Sequence, residues 1–130
     1  MLSTVHAGPS NLLLGLVFGG LGAIPFFIHN PPPQPGLAGE FNSIFYQSHW
    51  VQFVAFAQVV AGLLLLANRY VPVALIIVAG FLYNSYAFHI TMLPMVLAAP
   101  IVATILGLLV ALQYRAIFAP IFRAKPIDVP

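Results

Sequence analysis

Charge is what this chain has least of. Four basic and two acidic residues serve 130 positions, 5 % of the total, and residues 1–39, 41–68 and 70–114 carry none. A water-soluble domain keeps about a quarter of its residues charged to hydrate its surface. This chain cannot do so, which excludes an ordinary soluble globule. Cysteine is absent, which excludes disulfides, zinc–thiolate sites and thiol redox chemistry within the chain. No basic cluster exists, so nucleic acid is not an expected partner. No nucleophile–base pair, paired carboxylates or glycine-rich phosphate loop is readable, so the chain on its own is not expected to be an enzyme of hydrolysis or phosphoryl transfer. No carboxylate or lysine interrupts the apolar runs, which argues against a proton-driven pump.

What remains is apolar. Hydrophobic residues make up 62 % and the mean hydropathy is +1.03. A bilayer core of about 30 Å needs about 20 apolar residues per helical crossing. The length therefore suits four crossings in one integral membrane domain over residues 1–130. The predicted fold is all-α: an antiparallel bundle of four transmembrane helices with a short outer interfacial helix after the first. The runs are continuous rather than alternating, which excludes barrel strands.

The spans fall at about 11–28, 49–67, 71–90 and 95–114. Pro9 precedes the first, Ser10 or Asn11 can cap it, and Pro25 should bend or stop it. Without a basic n-region ahead of it or an A-x-A-like site soon after it, this segment reads as a retained span, not a signal peptide. His29-Asn30-Pro31-Pro32-Pro33-Gln34-Pro35-Gly36 is an extended exit from the membrane. Leu37 to Gln47 carries Phe41, Ile44, Phe45 and Ser48 on one mainly apolar face and reads as the interfacial helix. Asn68-Arg69-Tyr70-Val71-Pro72 is a tight turn, and Met92-Leu93-Pro94 a break. Residues 115–130 form a short basic tail, expected to be poorly ordered near its end.

Arg69, Arg115, Arg123 and Lys125 then share one face of the membrane and Glu40 the other. Basic residues stay inside, so both termini are expected in the cytoplasm with the proline loop outside.

Small residues at four-residue spacing supply packing ridges: Gly15, Gly19 and Ala23 in the first span; Ala57 and Ala61, beside Gly62, in the second; Ala99, Ala103, Gly107 and Ala111 in the fourth. Helices in lipid associate through such close backbone contact and through interhelical hydrogen bonds. Whether each ridge meets this chain or another subunit stays open.

Gln52, Gln58, Asn84, Ser85 and Thr104 lie within the apolar spans. A buried amide without a partner costs a few kcal/mol, so each should face the bundle, water or a ligand. In this topology His29, His49 and His89 share the outer membrane level, with Gln52 and Asn84 a turn or two deeper. A pocket of imidazoles and amides suits a quinone head, a haem edge or a metal. His89, Asn84, Gln58 and Gln52 are the cofactor-binding candidates. His29, His49 and His89 are weak metal candidates, since no pair has helical metal-motif spacing.

Three segments resemble the DoxX family of small four-helix bacterial membrane proteins. They are Gln58-Val-Val-Ala-Gly62-Leu-Leu-Leu-Leu66, Asn68-Arg69-Tyr70-Val71-Pro72-Val-Ala-Leu75, and Asn84 to Phe88-His89. The loop at Pro31–Pro35 and the Tyr114-Arg115 end fit as well. The family commonly has Glu where this chain has Gln58. The resemblance implies a bacterial inner-membrane protein near quinone-linked redox assemblies, by analogy. It leads to an expected accessory or structural subunit of a membrane redox or energy-converting complex, with lipid and other membrane subunits as partners. Alternatives are a quinone-binding oxidoreductase subunit and a small-solute or lipid transporter.

Overall fold

A computed structural model of the chain describes residues 8–125. The expected disorder at the tail's end and the location of the two termini concern residues outside that range.

The described residues are all-helical, without strands. Helix α1 spans Pro9–Phe27, α2 Gly36–Gln47, α3 Trp50–Leu66, α4 Val71–Met92 and α5 Ala98–Gln113. A short α6, Arg115–Phe118, and a 3₁₀ turn over Ala119–Phe122 extend the chain, so the start of the basic tail is helical. Three helical stretches are long and apolar enough to cross a membrane: α1, α4, and Pro94–Gln113, which joins a 3₁₀ turn to α5. The pair α2 and α3, bent by 83°, brings the count to four if it crosses as one unit.

Local chemistry explains the ends. Pro9 occupies the first turn of α1, where its missing N–H is no loss. The cap is Gly8, without a side-chain bond, instead of Ser10 or Asn11. Asn11 is drawn inside: it is fully buried, and its Nδ2 donates to Asn68 Oδ1 at 3.3 Å. Pro25 does not stop α1. It is buried within the helix, which runs on to Phe27, and the Ile28 N–H still reaches the Ile24 carbonyl at 2.9 Å. At the α2–α3 corner His49 adopts φ 60°, and in the α3–α4 turn Asn68 and Tyr70 adopt φ 52° and 51°. These left-handed residues reverse the chain in very few positions.

Helix α1 packs most closely on α3, and the two run antiparallel: Gly15 meets Gly62 and Leu66, whereas Gly22 meets Ala55, Gln58 and Val59. Helix α4 folds back along α3, and α5 closes against α1 and α4. The core where these four meet contains Leu14, Phe18, Leu65, Leu75, Val78 and Val110. The Phe18 and Phe81 rings meet edge to face at 5.4 Å, tying α1 to α4.

Outward faces stay apolar. Ile101, Ile105, Leu108 and Leu112 on α5 are 46–61 % exposed, as are comparable side chains on α1 and α4. In water such a surface would drive association. Acyl chains cover such a surface without that cost, and the long apolar helices are compatible with a helical membrane protein.

Candidate functional site

A groove of about 780 Å³ opens between α2, α3 and α4. It falls in the size range of small-molecule sites. Its α3 wall includes Phe53, Val54, Ala57 and Gln58; its α4 wall includes Ile76, Gly80, Asn84 and His89. No Asp, Glu, Lys or Arg lines it.

The α2 side is closed by a cluster of aromatic rings. Phe41 lies 5.5 Å from Phe45 and 5.4 Å from Phe88 of α4, and Phe45 lies 5.5 Å from Trp50 at the start of α3. Phe88 continues edge-on to the His89 ring at 5.3 Å. The 83° corner makes this possible. It turns α2 across the end of α3, so the Phe41 and Phe45 face points at α4, while Ile44 remains 66 % exposed. The helical spacing of these residues was legible from sequence. That the face covers a groove instead of lipid was not, because the angle is set at the Ser48–His49 corner and not by the helical spacing.

Of the sequence-derived candidates, the structure brings Gln58, Asn84 and His89 into this one groove. Gln52 is half-buried near the start of α3 and is not part of the lining. The three histidines are divided. His29 and His49 border a second depression of about 450 Å³ with Asn30, Pro31, Ser43, Tyr46 and Gln47, away from His89. No group of three potential metal-ligating side chains occurs among the described residues. The three histidines are thus divided between two surfaces, His89 lining one and His29 with His49 bordering the other.

The polar groups of the groove differ in how they are occupied. Asn84 Nδ2 donates back to the Gly80 carbonyl at 2.9 Å, and the residue is exposed. His89 Nδ1 lies 3.3 Å from the Leu93 carbonyl. Asn42 Nδ2 donates to Gln34 Oε1 at 2.7 Å, holding α2 to the proline loop. Gln58 is different. It is only 9 % exposed, and its side chain makes no hydrogen bond among the described residues. Its amide atoms are not fully enclosed, so they can be reached from the groove and take a partner there. Across the bundle Thr104 shows the opposite case. Its hydroxyl donates to the Pro100 carbonyl at 2.7 Å and sits 2.8 Å from the Tyr86 hydroxyl, an interhelical link that already uses its donor.

The small-residue rows also resolve. Gly15 and Gly19 face Gly62, and Ala61 is buried. Gly22, outside the four-residue row, is buried against Ala55, Gln58 and Val59, whereas its neighbour Ala23 is half-buried. On α5, Ala103 and Ala111 pack against the core, a Cβ at Gly107 would stand 3.9 Å from Val78 Cγ1, and Ala99 is exposed.

No protein-family model, curated protein or solved structure matches the chain.

Proposed function

We propose that this chain is a DoxX-like integral subunit of a membrane redox assembly, and that the α2–α3–α4 groove binds a lipophilic ligand of the quinone class. The observation that carries the reading is Gln58: a nearly buried, unpartnered amide facing an apolar groove. Amide groups suit quinone oxygens, and aliphatic and aromatic walls suit the ring and isoprenoid tail. The residues that resemble the family support it from another side. Segments 58–66, 68–75 and 84–89 build the α3–α4 hairpin and the groove wall together.

A purely accessory subunit is the second reading. The α5 face favours it: only 11 % of the Pro94–Gln113 window is buried within the chain, leaving a long apolar side for lipid or a neighbouring subunit. Extraction in mild detergent followed by mass spectrometry separates the two. The first expects a quinone near one per chain; the second expects co-migrating membrane chains and no bound lipophile. A preparation with neither overturns both.

A further inference from the structure

We infer that the groove recognises an uncharged head group at the middle of the membrane, held by Gln58 in the space that Gly80 leaves open. The inference rests on the ligand-binding reading above and specifies where, and in what charge state, the ligand binds.

Depth follows from the hairpin. Gln58 lies ten residues before Asn68 and Gly80 ten residues after Tyr70. At about 1.5 Å per residue both stand about 15 Å from the turn, and so level with each other. The turn carries exposed Arg69 and Tyr70, side chains that anchor at an interface. About 15 Å from an interface is the centre of a hydrocarbon core of about 30 Å. Asn84 lies one turn nearer the outer face, and His89 is more than two turns from Gly80.

Space follows from two glycines. On the α1 side, a Cβ at Gly22 would stand 2.7 Å from the Gln58 Cβ, so the missing side chain lets α3 seat Gln58 where it is. On the α4 side, a Cβ at Gly80 would meet nothing within 4 Å. The groove therefore has open space at Gly80, level with its most buried amide. The neighbouring Phe81 ring is fixed by Phe18 and forms a firm wall.

Charge follows from the lining. An ionised head at mid-membrane needs a counter-charge or several strong donors. The groove offers no charged side chain. Carboxylates, phosphates and ammonium groups are thereby excluded at this depth, and a neutral carbonyl or hydroxyl is favoured. Gln58 can donate through Nε2 to a quinone carbonyl or accept through Oε1 from a quinol hydroxyl. The same residue thus serves both oxidation states. Asn84 and His89, more exposed and already bonded in part, line the route inward.

The chain's only tryptophan, Trp50, borders the groove and provides the readout. A short-tail benzoquinone is titrated into the full chain in nanodiscs while Trp50 fluorescence is followed. Saturable quenching is expected in the wild type. Gln58→Leu should weaken it about tenfold, the worth of one hydrogen bond at a buried site. Gly80→Leu, which fills open space and favours the helix, should abolish it with helicity and Tm retained. A long-chain carboxylate at neutral pH should not compete. Quenching that is linear and non-saturable in the wild type overturns the ligand reading itself. Saturable quenching of wild-type affinity in Gln58→Leu, or any saturable quenching that survives Gly80→Leu, overturns only the mid-membrane anchor, as does effective competition by the carboxylate.

Discussion

Gly62 shows most clearly how single residues hold this bundle together. A Cβ there would stand 2.5 Å from the Gly19 backbone nitrogen, 2.6 Å from the Gly19 Cα and 2.8 Å from the Gly15 carbonyl oxygen. These are backbone atoms and cannot move aside. Gly62→Ala should therefore force α1 from α3 and cost about 1–3 kcal/mol, the usual range for overpacking. Gly20, one residue from that seam, has open space around it. Gly20→Ala should be neutral or stabilising by up to about 1 kcal/mol through helix propensity. Thermal unfolding in one detergent measures both, and equal losses would contradict the seam. A second cluster lies at the turn end of the bundle. Asn68 Oδ1 accepts from Asn11 Nδ2 and from the Tyr114 hydroxyl at 3.0 Å, joining α1, the hairpin turn and the end of α5. Tyr114→Phe removes one of these bonds and should cost about 0.6 kcal/mol, the membrane average. Asn68→Ala removes both and also places alanine at φ 52°. It should cost at least twice as much by the same measurement.

Among the elements, the α2–α3 corner is held by a residue poorly suited to it. His49 sits at φ 60° with no side-chain cap bond, a conformation that costs a non-glycine residue about 1–2 kcal/mol. His49→Gly should raise the unfolding temperature slightly and leave the groove intact; a lower value would mean that the imidazole itself holds the corner. Most helix positions were legible, because prolines and apolar runs punctuate the chain at Pro9, Pro31–Pro35, Pro72 and Pro94. The contact face of α1 was only half legible. A four-residue row of Gly15, Gly19 and Ala23 drifts around a helix of 3.6 residues per turn. Seven residues bring the chain back more nearly to one line, and the seam accordingly passes from Gly15 to Gly22. For the site, Gln58, Asn84 and His89 could be singled out as polar groups in apolar runs. The aromatic closure by Phe41 and Phe45 could not, because it depends on a corner angle that no periodicity encodes.

At the scale of the whole molecule, the number of crossings decides which side each end occupies. Three stretches are long enough to span alone, whereas α3 has 17 residues, about 25 Å by helical rise. Its packing supports a full crossing. It lies antiparallel to α1 from the Asn11–Asn68 bond at one end to the Gly22–Ala55 contact at the other. A segment that shares the depth of a spanning helix over this distance has little room to turn back within the bilayer. With four crossings the proline loop and the tail after α5 face opposite compartments; with a re-entrant α2–α3 unit they face the same one. The absence of cysteine makes the test clean. Asn30→Cys, in the loop, and Ala124→Cys, in the tail, are both exposed positions. In intact cells a membrane-impermeant maleimide should label the first and reach the second only after permeabilisation, since the basic residues of the tail favour the inner face. Labelling of both from outside would establish three crossings and place the α3–α4 turn outside. Arg69 would then face the outer leaflet, and the depth order of His89, Asn84 and Gln58 would be inverted relative to the cytoplasm.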